Sequence, residues 1–182
     1  SYIQALIKMG LPEAMKAATN LKPVWSDILV ERLRSGRGKA IRGQQRGRNL
    51  EDFAEKIIRD VFGDKFDTRC QFSGARTEEV AKCDFAIPSK ETPRVLIESK
   101  AYGATGSKMT DIIGDLNAII RSKRHDTKLV FVTDGVTWNQ RLSDLNKIVN
   151  MQNRGEILRI YTMKMGDQFK ADMLSLKQEF GI

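Results

Sequence analysis

The chain has 182 residues, enough for one domain with a buried core, and 41% of them are hydrophobic. No apolar run approaches the roughly 18 to 20 residues of a transmembrane helix, and no signal segment is seen at the start, so we expect no association with a membrane. The net charge of +8 favours a polyanionic partner, with nucleic acid ahead of an acidic membrane surface.

Cysteine and histidine are scarce, which excludes several kinds of site. Cys70 and Cys83 are too few for a disulfide framework, and we expect both to be reduced core thiols in a cytoplasmic protein. His125 is the single histidine, which argues against a Ser-His-Asp triad or a histidine-based zinc site, and we place it in a loop. Trp138 is expected to be a packing residue.

The first quarter of the chain differs in composition from the rest. Residues 1–33 space their apolar side chains as helices do. Residues 34–48 are rich in arginine and glycine and almost free of apolar side chains, which predicts a loop or flexible arm. We therefore predict a helical segment with a basic loop at 1–45 and a core at 46–182, both within one compact domain overall.

The later residues show a clear order of helices and strands. Asn49 is predicted to cap a helix that runs to Gly63. Strands are predicted at 66–72, 83–87, 94–100, 128–134 and 156–165, and helices at 109–123, 138–151 and 167–179. Three consecutive strands with short turns predict an antiparallel meander, and strands that alternate with helices predict parallel addition. The fold class is therefore α/β, with a mixed sheet flanked by helices.

The hairpin of the second and third predicted strands carries charges where a core strand is normally apolar. Glu98 and Lys100 are two residues apart and share one face. An antiparallel register brings Asp84 near them, and converging carboxylates attract a cation such as Mg²⁺ or Mn²⁺. A neighbouring lysine can orient or deprotonate an attacking water, which suits metal-assisted phosphodiester hydrolysis. The alternative is a structural ion pair of Lys100 with either acid.

A third carboxylate is predicted on the helix that follows Asn49. Glu51 lies at the edge of the apolar arc of that helix, and Glu55 lies about 40° further out. Glu51 is therefore the first candidate to support a metal or a water from the helix, and Glu55 is the second. The alternative for Glu51 is an acid favoured by the helix dipole alone.

The order of these features resembles the PD-(D/E)XK nuclease superfamily, and within it type II restriction endonucleases of the DpnII/MboI type. The resemblance covers about residues 47–164 and rests on GRNLEDF, KCDFAI, VLIESKAYGATGSK and FVTDGVTW. The FokI-type cleavage domain is similar more distantly. The resemblance implies a restriction endonuclease-like core in which Asp84, Glu98 and Glu51 are metal ligands. Lys100 is then the catalytic residue that acts on the attacking water.

The same resemblance implies a function. We expect a Mg²⁺-dependent endonuclease that cuts double-stranded DNA, accepts Mn²⁺ as a substitute, needs no small-molecule cofactor and acts as a homodimer in the cytoplasm of a prokaryotic cell. A repair or junction-resolving nuclease of the same fold is one alternative. A DNA-binding module with purely structural carboxylates is another.

The sequence departs from the family pattern at two places. Cys83 stands where the motif has a proline, which performs no chemistry. A glutamine often found on the helix after the lysine is absent, and Asp115 and Asn117 are the polar residues nearest its expected place. A role for that helix in the site is therefore not implied.

DNA-backbone contacts are predicted from two basic stretches. Arg42, Arg46 and Arg48 belong to the arginine-glycine stretch, which is either a solvated linker or a phosphate-binding arm. The GATGSK stretch lacks the spacing of a P-loop, and it is either a turn with a helix cap or a phosphate contact through Ser107 and Lys108.

Overall fold

The computed structural model describes residues 2–20, 25–26, 30, 37–75, 81–101, 111–134, 138–139 and 141–182. The chain divides into two units, residues 1–39 and 40–182. In the first unit, helices α1 (Tyr2–Lys8) and α2 (Leu11–Asn20) confirm the helical character expected there. The predicted border at residue 45 stays a prediction.

The second unit holds the sheet and the helices that pack on it, including helix α3 (Arg37–Phe62) from residue 40 onward. The elements after α2 whose bounds lie in the described residues are, in chain order, α3 (Arg37–Phe62), β1 (Asp67–Phe72), β2 (Ala81–Ile87), β3 (Val95–Ala101), α4 (Asp111–Ser122), β4 (Lys128–Asp134), α5 (Leu142–Asn153), β5 (Arg159–Tyr161), a 3-10 helix (Met163–Met165) and α6 (Gly166–Phe180). In the part of the chain that the structure describes, no helix is long and apolar enough to cross a bilayer.

The five strands in the described part of the chain form one sheet in the order β1-β2-β3-β4-β5. β1, β2 and β3 pair antiparallel, and β3, β4 and β5 pair parallel. The short connection between β2 and β3 permits a hairpin, whereas α4 and α5 supply the crossovers that parallel strands require. The predicted α/β class, with its meander followed by parallel strands, is confirmed.

Helices cover both faces of this sheet. α3 and α6 pack on one face, called here the α3 face, through a cluster that includes Leu50, Phe85 and Phe169. α4 and α5 pack on the other, the α4 face, through a cluster that includes Leu116 and Phe131. β4 is apolar on both faces because helices cover both, as expected for a central parallel strand.

The expected loop over the arginine-glycine stretch is wrong for residues 37–48, which belong to α3. Asn49 consequently lies inside the helix and does not cap it. Arginine, glutamine and alanine favour helix, and each interior glycine costs only about 1 kcal/mol. Burial of side chains such as Leu50 and Ile58 contributes about 1.5–3 kcal/mol each, which anchors the helix to the sheet.

Two other element bounds are corrected. The strand expected at 156–165 pairs only over Arg159–Tyr161, because it lies at the sheet edge and the chain then turns into the 3-10 helix. The helix expected from residue 138 begins at Leu142. The predicted strands at 66–72, 94–100 and 128–134 agree with β1, β3 and β4 within a residue.

The predictions for cysteine and tryptophan are confirmed. Cys70 and Cys83 are buried free thiols that lie opposite each other on β1 and β2. Trp138 packs on the α4 face, and its indole N–H donates to Thr133 Oγ1 at 3.1 Å. His125 lies in the turn between α4 and β4.

Candidate active site

Asp84 and Glu98 lie where the antiparallel and parallel halves of the sheet meet. Each is the next residue beyond the Phe85–Ile97 pair of β2 and β3. Asp84 Oδ2 accepts a hydrogen bond from the Ser99 N–H at 2.7 Å, which fastens the two strands at this point. The hairpin therefore brings the two predicted acids together. Asp84 lies within β2 and not at its start, because the strand begins at Ala81.

Glu98 and Lys100 point to the same face, as the strand period predicts. Glu98 is only 4% exposed, and Lys100 Nζ lies 2.9 Å from its Oε1. The same ammonium lies 3.5 Å from Oδ2 of Asp115 on α4. Lys100 thus lies between an inner and an outer carboxylate, and α4 contributes Asp115 to the site.

The two inner acids resist ionisation in this structure. Burial raises the pKa of Glu98 to about 7, the Asp84 carboxylate adds to the increase, and Lys100 opposes it. Burial also raises the pKa of Asp84, although the Ser99 N–H and Lys100 lower it. Lys100 therefore does not neutralise the pair fully, and a further cation would favour the ionised form of both acids.

Lys100 itself stays protonated. Burial lowers its pKa, but Glu98, Asp84 and Asp115 together outweigh burial and raise the pKa above its ordinary value. An ammonium cannot take a proton from water. Of the two roles predicted for Lys100, its charge favours orienting water and neutralising negative charge over deprotonation.

Glu51 approaches the site from α3 through an arginine that sequence reasoning did not select. Its Oε2 accepts from Arg69 Nη2 at 2.6 Å and from Arg69 Nε at 3.2 Å. Glu51 also lies close enough to Asp84 to raise the pKa of that acid. Glu55 instead pairs with Arg59 at 2.9 Å. Both candidate helix acids are thus paired with an arginine, and Glu51 also acts electrostatically on Asp84.

Two pockets meet at Asp84. A larger pocket of about 410 Å³ lies on the α4 face, and Glu98, Lys100 and Asp115 are among the residues that line it. A smaller pocket of about 140 Å³ lies toward α3, with Glu51 and Glu55 in its wall. Asp84 and Arg69 line both. Asp84 therefore borders both the pocket that contains Glu98 and the pocket that contains Glu51.

The donor set of the site fits a small hard cation. Among the residues that the structure describes, no group of three or more His, Cys, Asp or Glu side chains is arranged to hold a metal ion. Mg²⁺ does not require one, because it usually takes one or two carboxylates and completes its shell with water and substrate phosphate. Asp84 and Glu98 meet that requirement. Glu51 is occupied by Arg69, so its role as a third ligand stays a prediction.

The predicted DNA contacts are described only in part. Arg48 is exposed on α3, one helical turn before Glu51 and on the same side of the helix. Arg42 and Arg46 also lie on α3, but their side chains fall outside the described residues, as Ser107 and Lys108 do entirely.

The chain is similar in sequence to known restriction endonucleases. The sequence model of the DpnII restriction endonuclease family matches residues 38–168, which include every residue of both pockets. The type II restriction enzyme MjaIII of Methanocaldococcus jannaschii is 33% identical over 73 residues, or 38% of this chain and 25% of that enzyme. The match thus spans about a quarter of the length of this curated relative. No solved structure matches the chain significantly. The extent of the family match shows that this chain belongs to the DpnII restriction endonuclease family.

Proposed function

We propose that the chain is a divalent-metal-dependent endodeoxyribonuclease, a type II restriction endonuclease or its cleavage domain, that hydrolyses phosphodiester bonds of double-stranded DNA. The observation that carries the proposal is the pair of half-buried Asp84 and buried Glu98, with Lys100 Nζ at 2.9 Å from Glu98. Membership of the DpnII family supports DNA as the substrate, and the net charge of +8 suits a polyanion.

Asp84 and Glu98 would hold Mg²⁺, and Mn²⁺ would substitute because it accepts the same oxygen ligands. When bound, such an ion polarises the phosphate and lowers the pKa of water. By holding the ion, the two acids would also set where a phosphate of the DNA is bound. Glu51 is the proposed supporting acid from α3.

Lys100 acts on the attacking water and on the charge that develops at the phosphate. Its ammonium is held by Glu98 on one side and Asp115 on the other. Its ammonium donates a hydrogen bond to one lone pair of the water oxygen and thereby leaves the other lone pair free to face phosphorus. Because Lys100 cannot accept a proton, the proton that the water loses passes to solvent. Stabilisation of developing charge by such a fixed donor is worth about 10²–10³-fold in rate.

Cleavage of both strands needs two active sites, so we propose a homodimer at the time of cutting. The reaction leaves 5′-phosphate and 3′-hydroxyl ends, and the cytoplasm of a prokaryotic cell is the proposed location. The oligomeric state, the product ends and the location are proposals, because the match covers only 25% of the curated relative.

Incubation with plasmid DNA and Mg²⁺ tests the proposal. We expect cleavage by the wild type, none in EDTA, and a loss of about 10²-fold or more in Asp84→Asn, Glu98→Gln and Lys100→Ala. Lys170→Ala is the matched control, because Lys170 is exposed and pairs with Asp60 on the outer surface of α3 and α6. Equal cleavage by all variants would reject the assigned site.

A panel of substrates separates the alternatives of restriction and repair. A restriction enzyme cuts plain duplex DNA at fixed positions, whereas a junction or repair nuclease cuts branched or damaged DNA in preference. Sequencing the ends produced from a random-sequence library reads the cut position directly. DNA binding without cleavage by the wild type would favour a binding module.

A further inference from the structure

Arg69 stands out because its backbone is in the left-handed region, with φ at 45°. Among the described residues it is the one non-glycine residue with positive φ. A positive φ is unfavourable for a residue that has a Cβ atom. Residues held in such a conformation cluster at functional sites. Arg69 lies between Thr68 and Cys70, which pair with Phe85 and Cys83, so it lies opposite Asp84.

The regular alternation of side chains between the two faces of the sheet is interrupted in β2 at this point. Residues two apart in a regular strand share a face, but Cys83 packs on the α4 face and Phe85 packs on the α3 face. The change happens at Asp84, with the left-handed Arg69 across from it. Asp84 therefore lines both pockets, and Arg69 stands between them.

The side chain of Arg69 is charged, exposed and only partly occupied. It is 72% exposed, and its two side-chain hydrogen bonds to described residues both go to a single oxygen of Glu51. The Glu51 carboxylate raises the pKa of Arg69 most, and Asp84 and Asp52 add to the increase. A guanidinium has five N–H donors, so further donors remain to meet a ligand.

A purely structural role does not account for these features. An exposed ion pair stabilises a protein little, and strained backbone is unfavourable for the fold. The rest of the site lies beside Arg69: the metal-binding acids and the place of the scissile phosphate. Arginine binds phosphate oxygens well because its planar donors match them.

We propose that Arg69 is a DNA-phosphate-binding residue of this site, and that Glu51 holds it in place until DNA arrives. When DNA binds, the guanidinium exchanges the Glu51 carboxylate for a backbone phosphate and leaves Glu51 available to the metal. The inference rests on the proposed function for the site that Arg69 serves. Arg69 would thus give β1 a contact with the DNA backbone that Asp84, Glu98 and Lys100 do not provide.

DNA binding in EDTA tests the inference without cleavage. The variant is Arg69→Gly, which removes the guanidinium and accepts positive φ, so the fold is kept. Binding of a labelled DNA duplex is measured over about 50–200 mM salt. We expect several-fold weaker binding and a salt slope lower by about 0.9, the value for one lost phosphate contact. Glu51→Gln is expected to bind several-fold more tightly, because it removes the competing carboxylate.

The matched control is Arg94→Ala, which removes one positive charge at the far end of β3. Arg94 is exposed and pairs with Asp126, roughly 13 Å along the strand from Glu98. Compared with Arg69→Gly, Arg69→Lys is expected to recover the full salt slope, because it keeps the positive charge. It is expected to recover only part of the affinity, because lysine lacks the planar donors of arginine. Circular dichroism and thermal unfolding verify that each variant is folded.

The outcomes separate this inference from the proposed function. If Arg69→Gly behaves as Arg94→Ala does, or if the wild type shows no duplex binding at low salt, the inference is wrong. Cleavage by the wild type but not by Glu98→Gln would in that case leave the proposed function standing. Loss of binding in Arg69→Gly without any cleavage by the wild type would support the inference and reject the nuclease.

Discussion

Glu98 is the most deeply buried charged side chain among the described residues, and its environment controls the chemistry of the site. Lys100 Nζ lies 2.9 Å from its carboxylate, and a second acid, Asp84, lies nearby. Burial and Asp84 outweigh the lysine, so the folded protein favours the protonated form of Glu98 at a pH where an exposed glutamate is ionised.

This raised pKa predicts a pH dependence of stability in the metal-free protein. The pKa of Glu98 is about 7 in the fold and 4.5 when exposed. Between these values the folded state holds a proton that the unfolded state has lost, so stability falls as pH rises through this window. We expect Glu98→Gln to be more stable than the wild type at pH 8 by up to about 3 kcal/mol, and no more stable at pH 4.

Urea unfolding in EDTA at several pH values measures this difference. Parallel stability profiles of wild type and Glu98→Gln would contradict the prediction. Added Mg²⁺ is expected to raise the stability of the wild type above pH 7, because an ion that binds only the folded state stabilises it.

At the scale of the elements, a backbone contact joins the residues after β1 to the end of α4, the helix that carries Asp115. Ala75 N–H donates to the Ser122 carbonyl at 2.8 Å. A Cβ on the preceding Gly74 would lie 2.3 Å from the same oxygen. Only glycine permits this approach, which holds α4, and with it Asp115, against the hairpin.

Gly74→Ala is therefore expected to destabilise the protein by about 2 kcal/mol, because backbone atoms have to move apart. Gly47→Ala is the matched control, since a Cβ at Gly47 meets no atom within 4 Å. Gly47 lies inside α3, so alanine is expected to stabilise the helix by up to about 1 kcal/mol. Denaturant midpoints report both, and a destabilising Gly47→Ala would contradict the helical assignment of this stretch.

At the scale of the whole molecule, the proposed homodimer has a kinetic consequence. Each subunit supplies one set of Asp84, Glu98 and Lys100, so a dimer with one inactive subunit cuts one strand only. We expect wild type mixed with excess Glu98→Gln to convert supercoiled plasmid mainly to the nicked circle, where wild type alone yields linear DNA. Linear product at every mixing ratio would indicate that one subunit cuts both strands. Gel analysis of early time points distinguishes these outcomes.

Much of the fold could be read from local pattern. Apolar periodicity located the helix that ends near Gly63 and strands β1, β3 and β4 within a residue or two, because period and burial are coupled. The spacing of Glu98 and Lys100 predicted a shared face, and the short hairpin predicted the approach of Asp84. Stretches in the same order pointed to the family that the comparisons confirmed.

Other features depended on contacts between residues distant in sequence. Residues 37–48 of the arginine-glycine stretch have the composition of a loop, yet they form the first turns of a helix that is anchored by its buried C-terminal half. The sequence makes both Glu51 and Glu55 candidates. Only the packed structure shows that Glu51 pairs with Arg69 and that Glu55 pairs with Arg59. Arg69 gave no signal at all, since an arginine in a strand is ordinary. Its left-handed backbone and its place beside two acids exist only when β1, β2 and α3 are packed together.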